Sequence, residues 1–171
     1  MQNPFELFNL AVAFHLDTAL LSQRYLELQK QYHPDNAATA AQPQQLAAVQ
    51  KAAEINDAYQ ILKSPCRRAE AILALNWQQS LNLEETVRDT EFLMQQLLLR
   101  EDLEAAACAC NEADIAALRT KAEGLQTQQL QAIEDAIRQK DWRSLKQQID
   151  RLKFVEKLLQ EVDHIEDRLY G

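Results

Sequence analysis

Three consecutive residues, His33, Pro34 and Asp35, are the stretch of this chain best suited to polar chemistry. The Pro34 ring fixes its own φ and disfavours helical backbone at His33. Side chains beside such a fixed point are displayed on a stiff loop rather than buried. The Asp35 carboxylate can accept charge-assisted hydrogen bonds from an arginine on a partner, and His33 can donate or accept. Acid–base catalysis by the pair would need a nucleophile and a cleft of converging polar groups, and neither is indicated. Taken as a bare tripeptide, the three residues read more simply as a helix stop with incidental polar side chains.

Two other constellations fall short of a site. Glu161 and His164 form a Glu-x-x-His pair, which di-iron bundles use twice together with two further glutamates. The chain has only three histidines, His15, His33 and His164, so a second copy is absent. Cys108 and Cys110 could hold a soft metal, but Cys66 lies in the other half of the chain and zinc would lack a convincing fourth ligand. On a helix the two would point about 200° apart, which disfavours their pairing. Three cysteines give no disulfide framework, and a reducing compartment is the simplest reading. No catalytic residue, metal or cofactor is expected.

The elements that would position the tripeptide are helical. A short apolar segment, Pro4 to Leu10, is expected to pack as a short helix. Asp17-Thr18 offers an N-cap for a second helix with Leu21, Tyr25, Leu28 and Tyr32 on its buried face and Arg24, Glu27 and Lys30 on the other. Pro34 ends it, and His33 to about Ala41 is expected to be a loop. Pro43 suits the first turn of a third helix, with Leu46, Val49, Ala52, Ile55, Tyr59 and Leu62 inward. Ser64-Pro65 stops that helix and starts a fourth with Ala69, Ile72 and Leu73 inward. Asn76 to Leu83 lacks helical periodicity and is the linker, with Trp77 packing it down.

Three longer helices follow: roughly Asp89 to Ala107, about Glu112 to Lys140, and one starting near the cap Asp141. The middle one carries Ile115, Leu118, Ala122, Leu125, Gln129, Ile133 and Ile137 on one face. The last shows Leu145, Ile149, Leu152, Val155, Leu159, Val162, Ile165 and Leu169 at spacings of three and four, the seam of an antiparallel bundle. In the first, Leu93, Met94 and Leu97 share one stripe. Phe154 and Leu158 form a second, offset from a seam that is already complete without them. Such stripes are more often core than surface, but an extra apolar pair beside a full seam lies at the core edge or awaits a partner.

Composition agrees with an all-α fold. Among 171 residues there are two glycines, Gly124 and Gly171, and four prolines, while Ala, Leu, Gln and Glu dominate. So few glycines argue against a phosphate-binding loop. Residues 1–76 carry 6 Lys/Arg and 7 Asp/Glu, whereas residues 77–171 carry 12 and 19. The acidic second half repels nucleic acid and anionic lipid. The N-terminus has no basic stretch and no apolar run typical of a secretory signal, and no apolar run approaches the ~18 residues of a membrane span. A cytoplasmic monomer that binds neither nucleic acid nor membrane is expected.

The tripeptide does not stand alone. Leu7 and Leu10 precede a helix ending in Tyr32-His33-Pro34-Asp35. A loop then leads to Ile55-Asn56-Asp57-Ala58-Tyr59-Gln60-Ile61-Leu62, and on to Ser64-Pro65 and Arg68-Ala69-Glu70. This ordered set, over roughly residues 4–75, resembles the J domain of DnaJ-type co-chaperones. The remainder carries Thr86-Val87-Arg88-Asp89-Thr90, Phe92-Leu93-Met94, Leu97, Leu99-Arg100-Glu101, Leu152-Lys153-Phe154 and Lys157-Leu158. It resembles the C-terminal module of the HscB family, J proteins dedicated to iron–sulfur cluster assembly.

The resemblance covers essentially the whole chain. It implies an L-shaped pair: a J domain with a helical hairpin (residues 1–75), a linker (76–83) and a three-helix client-binding bundle (84–171). It implies a co-chaperone rather than an enzyme. The partners it implies are an HscA-like, DnaK-type chaperone, met by His33, Pro34 and Asp35 with Arg24 and Lys30, and the cluster scaffold IscU. The implied client surface is Leu93, Met94, Leu97, Glu101 and Phe154. The sequence departs from the family in having Asn36 where a lysine usually follows Asp35, and in a second helix thin in positive charge. Leu98 and Ala105 stand where related proteins carry acidic residues. A J protein with another client and a helical metal-binding protein using Glu161 and His164 are the alternatives.

Overall fold

The computed structural model describes residues 3–37, 39, 41–77 and 90–171. Every regular element among them is helical, and the chain divides into two compact units, Met1–Trp77 and Gln78–Gly171.

The first unit holds α1 (Pro4–Leu7), α2 (Thr18–Gln31), α3 (Gln42–Lys63) and α4 (Pro65–Asn76), with a 3-10 turn at Pro34–Ala37. Local chemistry sets the boundaries. Asp17 caps α2 by accepting from the Ala19 and Leu20 amides, each at 3.0 Å. Ser64 ends α3 and caps α4 by accepting from the Arg67 amide, and Pro65 takes the first helical position, where its missing N–H is no loss. The core gathers Phe5, Phe8, Phe14, Leu21, Ile55, Leu62, Ala69 and Ile72.

The α2–α3 hairpin is antiparallel and held by aromatics. The Tyr25 and Tyr59 rings stack with centroids 4.0 Å apart, an arrangement worth about 0.5–1.5 kcal/mol beyond its buried area. The Tyr25 hydroxyl donates to Asn56 at 2.7 Å. Ser22 faces Tyr59 and Gln29 faces Asn56. That register explains a correction. Helix α2 has 14 residues and α3 has 22, so the N-terminal half of α3 outruns α2. Leu46 and Val49, expected inward, are exposed.

The second unit is an antiparallel bundle of α5 (Thr90–Cys108), α6 (Glu112–Gln139) and α7 (Trp142–Tyr170). Asn111 caps α6 and Asp141 caps α7. Lys140, expected inside the second bundle helix, instead adopts left-handed backbone (φ 57°) and ends α6. One core cluster joins Leu99, Leu103 and Ala106 of α5 to Ile115 and Ala122 of α6 and to Phe154, Val155, Leu158 and Val162 of α7. Arg119 clamps α6 to α7: its guanidinium donates to both Glu166 carboxylate oxygens, at 3.1 and 2.6 Å, and to Asp163 at 2.5 Å. These contacts raise its pKa, the Glu166 hydrogen bond most.

Two further boundaries differ from the sequence reading. Helix α1 is shorter than expected. Asn76 closes α4 rather than opening a linker, and half-buried Trp77 is the α4 C-cap, its amide donating to Leu73 at 2.8 Å. Linker positions 78–83, and Thr86, Val87, Arg88 and Asp89, lie outside the described residues.

Candidate functional site

Helix α2 ends where Pro34 forbids its continuation, leaving the carbonyls of its last turn without helical partners. Tyr32 closes the helix, its amide donating to Leu28 at 2.9 Å. The chain then turns through the 3-10 segment, which packs against α3. The Asn36 amide donates to the His33 carbonyl at 2.9 Å and closes the turn. The Asp35 amide donates to Nδ1 of His33 at 3.2 Å. In that geometry Nδ1 accepts, so the neutral ring carries its proton on Nε2. The Asp35 carboxylate lies 3.4 Å from the same Nδ1 and is 88% exposed. A carboxylate so placed is an acceptor open to whatever cation a partner brings.

Of the two cations expected around the tripeptide, only Lys30 is exposed. Arg24 is half-buried. Its guanidinium donates to the Phe8 carbonyl at 2.6 Å and also to the Asn9 carbonyl. It ties α2 to the turn after α1 instead of standing free on the outer face.

Two residues that sequence reasoning left without a role tie down opposite ends of the α2–α3 hairpin. The Asn36 carboxamide donates to the carbonyls of Lys30, at 2.9 Å, and Gln31, at 3.3 Å. A short polar side chain just past a helix end is the signal that could have found it. Arg68 is 7% exposed. It donates to the carbonyls of Leu62 at 2.8 Å, Phe14 at 2.6 Å and Lys63 at 3.5 Å, and its guanidinium lies 5.8 Å from the Phe14 ring centre. Burial pushes its pKa down. Nothing in the helical periodicity announced a charge pointing inward.

In the second unit, Leu93, Met94 and Leu97 are 57%, 55% and 52% exposed. They lie on the side of α5 away from its core residues Leu99, Leu103 and Ala106. Leu98 is exposed as well and widens the apolar surface, and Glu101 is exposed beside it. Phe154 is different: it is buried in the core cluster, not displayed. Its ring meets Phe92 edge-on, with centroids 5.6 Å apart, and the Arg100 guanidinium covers it at 5.7 Å. The α7 seam was not complete without it, because Leu159 is only partly buried and Leu158 takes the inward place. Four large exposed apolar side chains on two turns of one helix make a surface suited to a protein partner.

Glu161 and His164 line an open groove between α5 and α7 with Arg100, Arg168 and Cys108. Glu161 pairs with Arg100 at 3.7 Å. Among the described residues, no group of three or more His, Cys, Asp or Glu side chains gathers into a metal-binding cluster, and no helix is long and apolar enough to cross a membrane.

A helical hairpin with an exposed His-Pro-Asp turn, followed by a separate helical unit, defines the class of J-domain proteins. Residues 7–71 match the DnaJ domain model, and residues 88–163 match the model of the HSCB C-terminal oligomerisation domain. The chain is 46% identical to the "Co-chaperone protein HscB homolog" of Vibrio cholerae serotype O1 (strain M66-2), over 99% of each. It is also 46% identical to that of Mannheimia succiniciproducens, over 99% of this chain and 98% of the relative. The solved structure of chaperone HscB from Vibrio cholerae superposes with a TM-score of 0.86 at 45% identity, covering 98% of this chain and 99% of that one. Human co-chaperone HscB shares the fold, with a TM-score of 0.87 at 23% identity over 95% and 81% of the two chains. This chain belongs to the HscB family of co-chaperones.

Proposed function

We propose that the protein stimulates the ATPase of a DnaK-type, HscA-like chaperone and delivers the iron–sulfur scaffold IscU to it, so that the cluster, as cargo, passes on to iron–sulfur proteins. The observation that carries the first half is the Asp35 carboxylate, exposed on a closed turn and within reach of an arginine on a partner. Pro34 and the turn hydrogen bonds fix its position, so little order is lost on docking. Lys30 adds a positive charge that steers the encounter.

The second half rests on the exposed stripe of Leu93, Met94 and Leu97, with Glu101 at its rim. Met is flexible and polarizable and suits a surface that must adapt to a client. Phe154 braces the inner side of α5, the helix that carries the stripe, through Phe92. In this reading the first unit acts on the chaperone and the second holds the client. The protein works as a cytoplasmic monomer and needs no cofactor of its own.

Steady-state ATP hydrolysis by the HscA-like chaperone tests the reading, measured with this protein or its Asp35→Ala variant, with and without IscU. Stimulation that grows with IscU and disappears in the variant supports both halves. Stimulation indifferent to IscU rejects the client, and no stimulation from folded protein rejects the whole.

A further inference from the structure

We propose that Asn36 is a positioning residue, holding the Asp35 carboxylate in place by locking the turn onto the end of α2. The inference deepens the proposed function and rests on it. Among the described residues Asn36 makes three hydrogen bonds. Its backbone amide donates to the His33 carbonyl at 2.9 Å. Its carboxamide nitrogen donates to the carbonyls of Lys30 at 2.9 Å and Gln31 at 3.3 Å. Both side-chain partners are carbonyl oxygens, so the nitrogen and not the oxygen must face them.

Those carbonyls belong to the last turn of α2, which Pro34 deprives of helical partners. Asp35 therefore lies inside a bracket. On one side His33 accepts from both the Asp35 and Asn36 amides. On the other, Asn36 reaches back over five and six residues to the helix. The Asp35 side chain is open to solvent, its carboxylate 88% exposed. Without the Asn36 tie the turn keeps its covalent stiffness at Pro34 but loses its anchor to the helix. A turn that is docking-competent only part of the time weakens the apparent affinity by that fraction and leaves the action of the bound state intact.

Asn36→Asp is the sharpest probe. It keeps size and shape, removes the donor, and turns a carboxylate toward carbonyls at the negative end of a helix. Stimulation of the HscA-like chaperone's ATPase is titrated with full-length wild type, Asn36→Asp and Asp35→Ala. Amide hydrogen exchange at positions 35 and 36 and thermal unfolding are followed in parallel. Asn36→Asp should raise the half-maximal concentration about fivefold, the size of one lost capping tie, with the maximal stimulation unchanged. Exchange at both amides should speed up while the unfolding midpoint of the whole chain barely moves. Asp35→Ala should lose the maximum itself. Wild-type stimulation with an unaltered Asn36→Asp titration overturns the positioning role alone. A lowered maximum at unchanged half-maximal concentration also overturns it, since that would make Asn36 a direct contact. No stimulation by folded wild type overturns the proposed function and the positioning role with it.

Discussion

Arg68 shows how much of the first unit hangs on one residue. Its three carbonyl partners sit at the end of α3 and in the loop at Phe14. These groups would otherwise face each other's partial charges in a water-poor place. Truncation would leave three acceptors with no donor and a void beside an aromatic ring. We expect Arg68→Ala to lower stability by about 3 kcal/mol, read as a fall in the denaturant midpoint without a change in slope. Arg68→Lys should recover only part, because an ammonium cannot span three fixed carbonyls as a planar fork does. The residue is invisible to pattern reading. An arginine at the fourth position of a helix reads as surface, and only the tertiary fold brings the Phe14 carbonyl to it. Asp35 is the opposite case: proline chemistry alone marks it as displayed, and it is.

Individual helices were more legible than the sides they show. Caps and prolines marked the starts of α2, α3, α4 and α7, because those signals act within a turn of the chain. Facing directions were less secure where the partner helix is shorter. Periodicity in α3 runs unbroken through Leu46 and Val49, but α2 stops before it can cover them. In α7 the reverse happened. Phe154 looked surplus to the seam, yet three packed helices bury a wider face than two do, and it is part of the core. Helix α5 carries the stripe on its outer side, so a change there tests binding without touching packing. Leu97→Asp should leave thermal unfolding within about 0.5 kcal/mol of wild type and weaken IscU binding at least tenfold by roughly the cost of a lost interface anchor. Titration calorimetry would check it, and equal affinity for the variant would move the client elsewhere.

At the scale of the whole molecule, the chain holds two units with separate cores. Each has its own set of fully buried large side chains, Phe5, Leu21, Ile55 and Leu62 in one and Leu99, Ile115, Leu145 and Val155 in the other. Joining two binding modules gives the second event an effective concentration in the mM range for a short tether. If delivery depends on that tether, the two units supplied as separate chains should keep basal ATPase stimulation and lose the added effect of IscU. Full IscU-dependent stimulation from the unjoined pair would show that the client needs no tether.

Lys140 bears on history rather than mechanism. It turns the corner between α6 and α7 in left-handed backbone, with φ 57°, where a side chain crowds its own peptide and glycine would be easier by on the order of 1 kcal/mol. The longest hairpin of the protein therefore carries a handicap it does not need. Selection removes sequences that fall below a working stability, and it does not reward every gain above it. A lysine at that corner marks a protein whose margin was already sufficient, and it leaves a reserve that a single substitution can draw on.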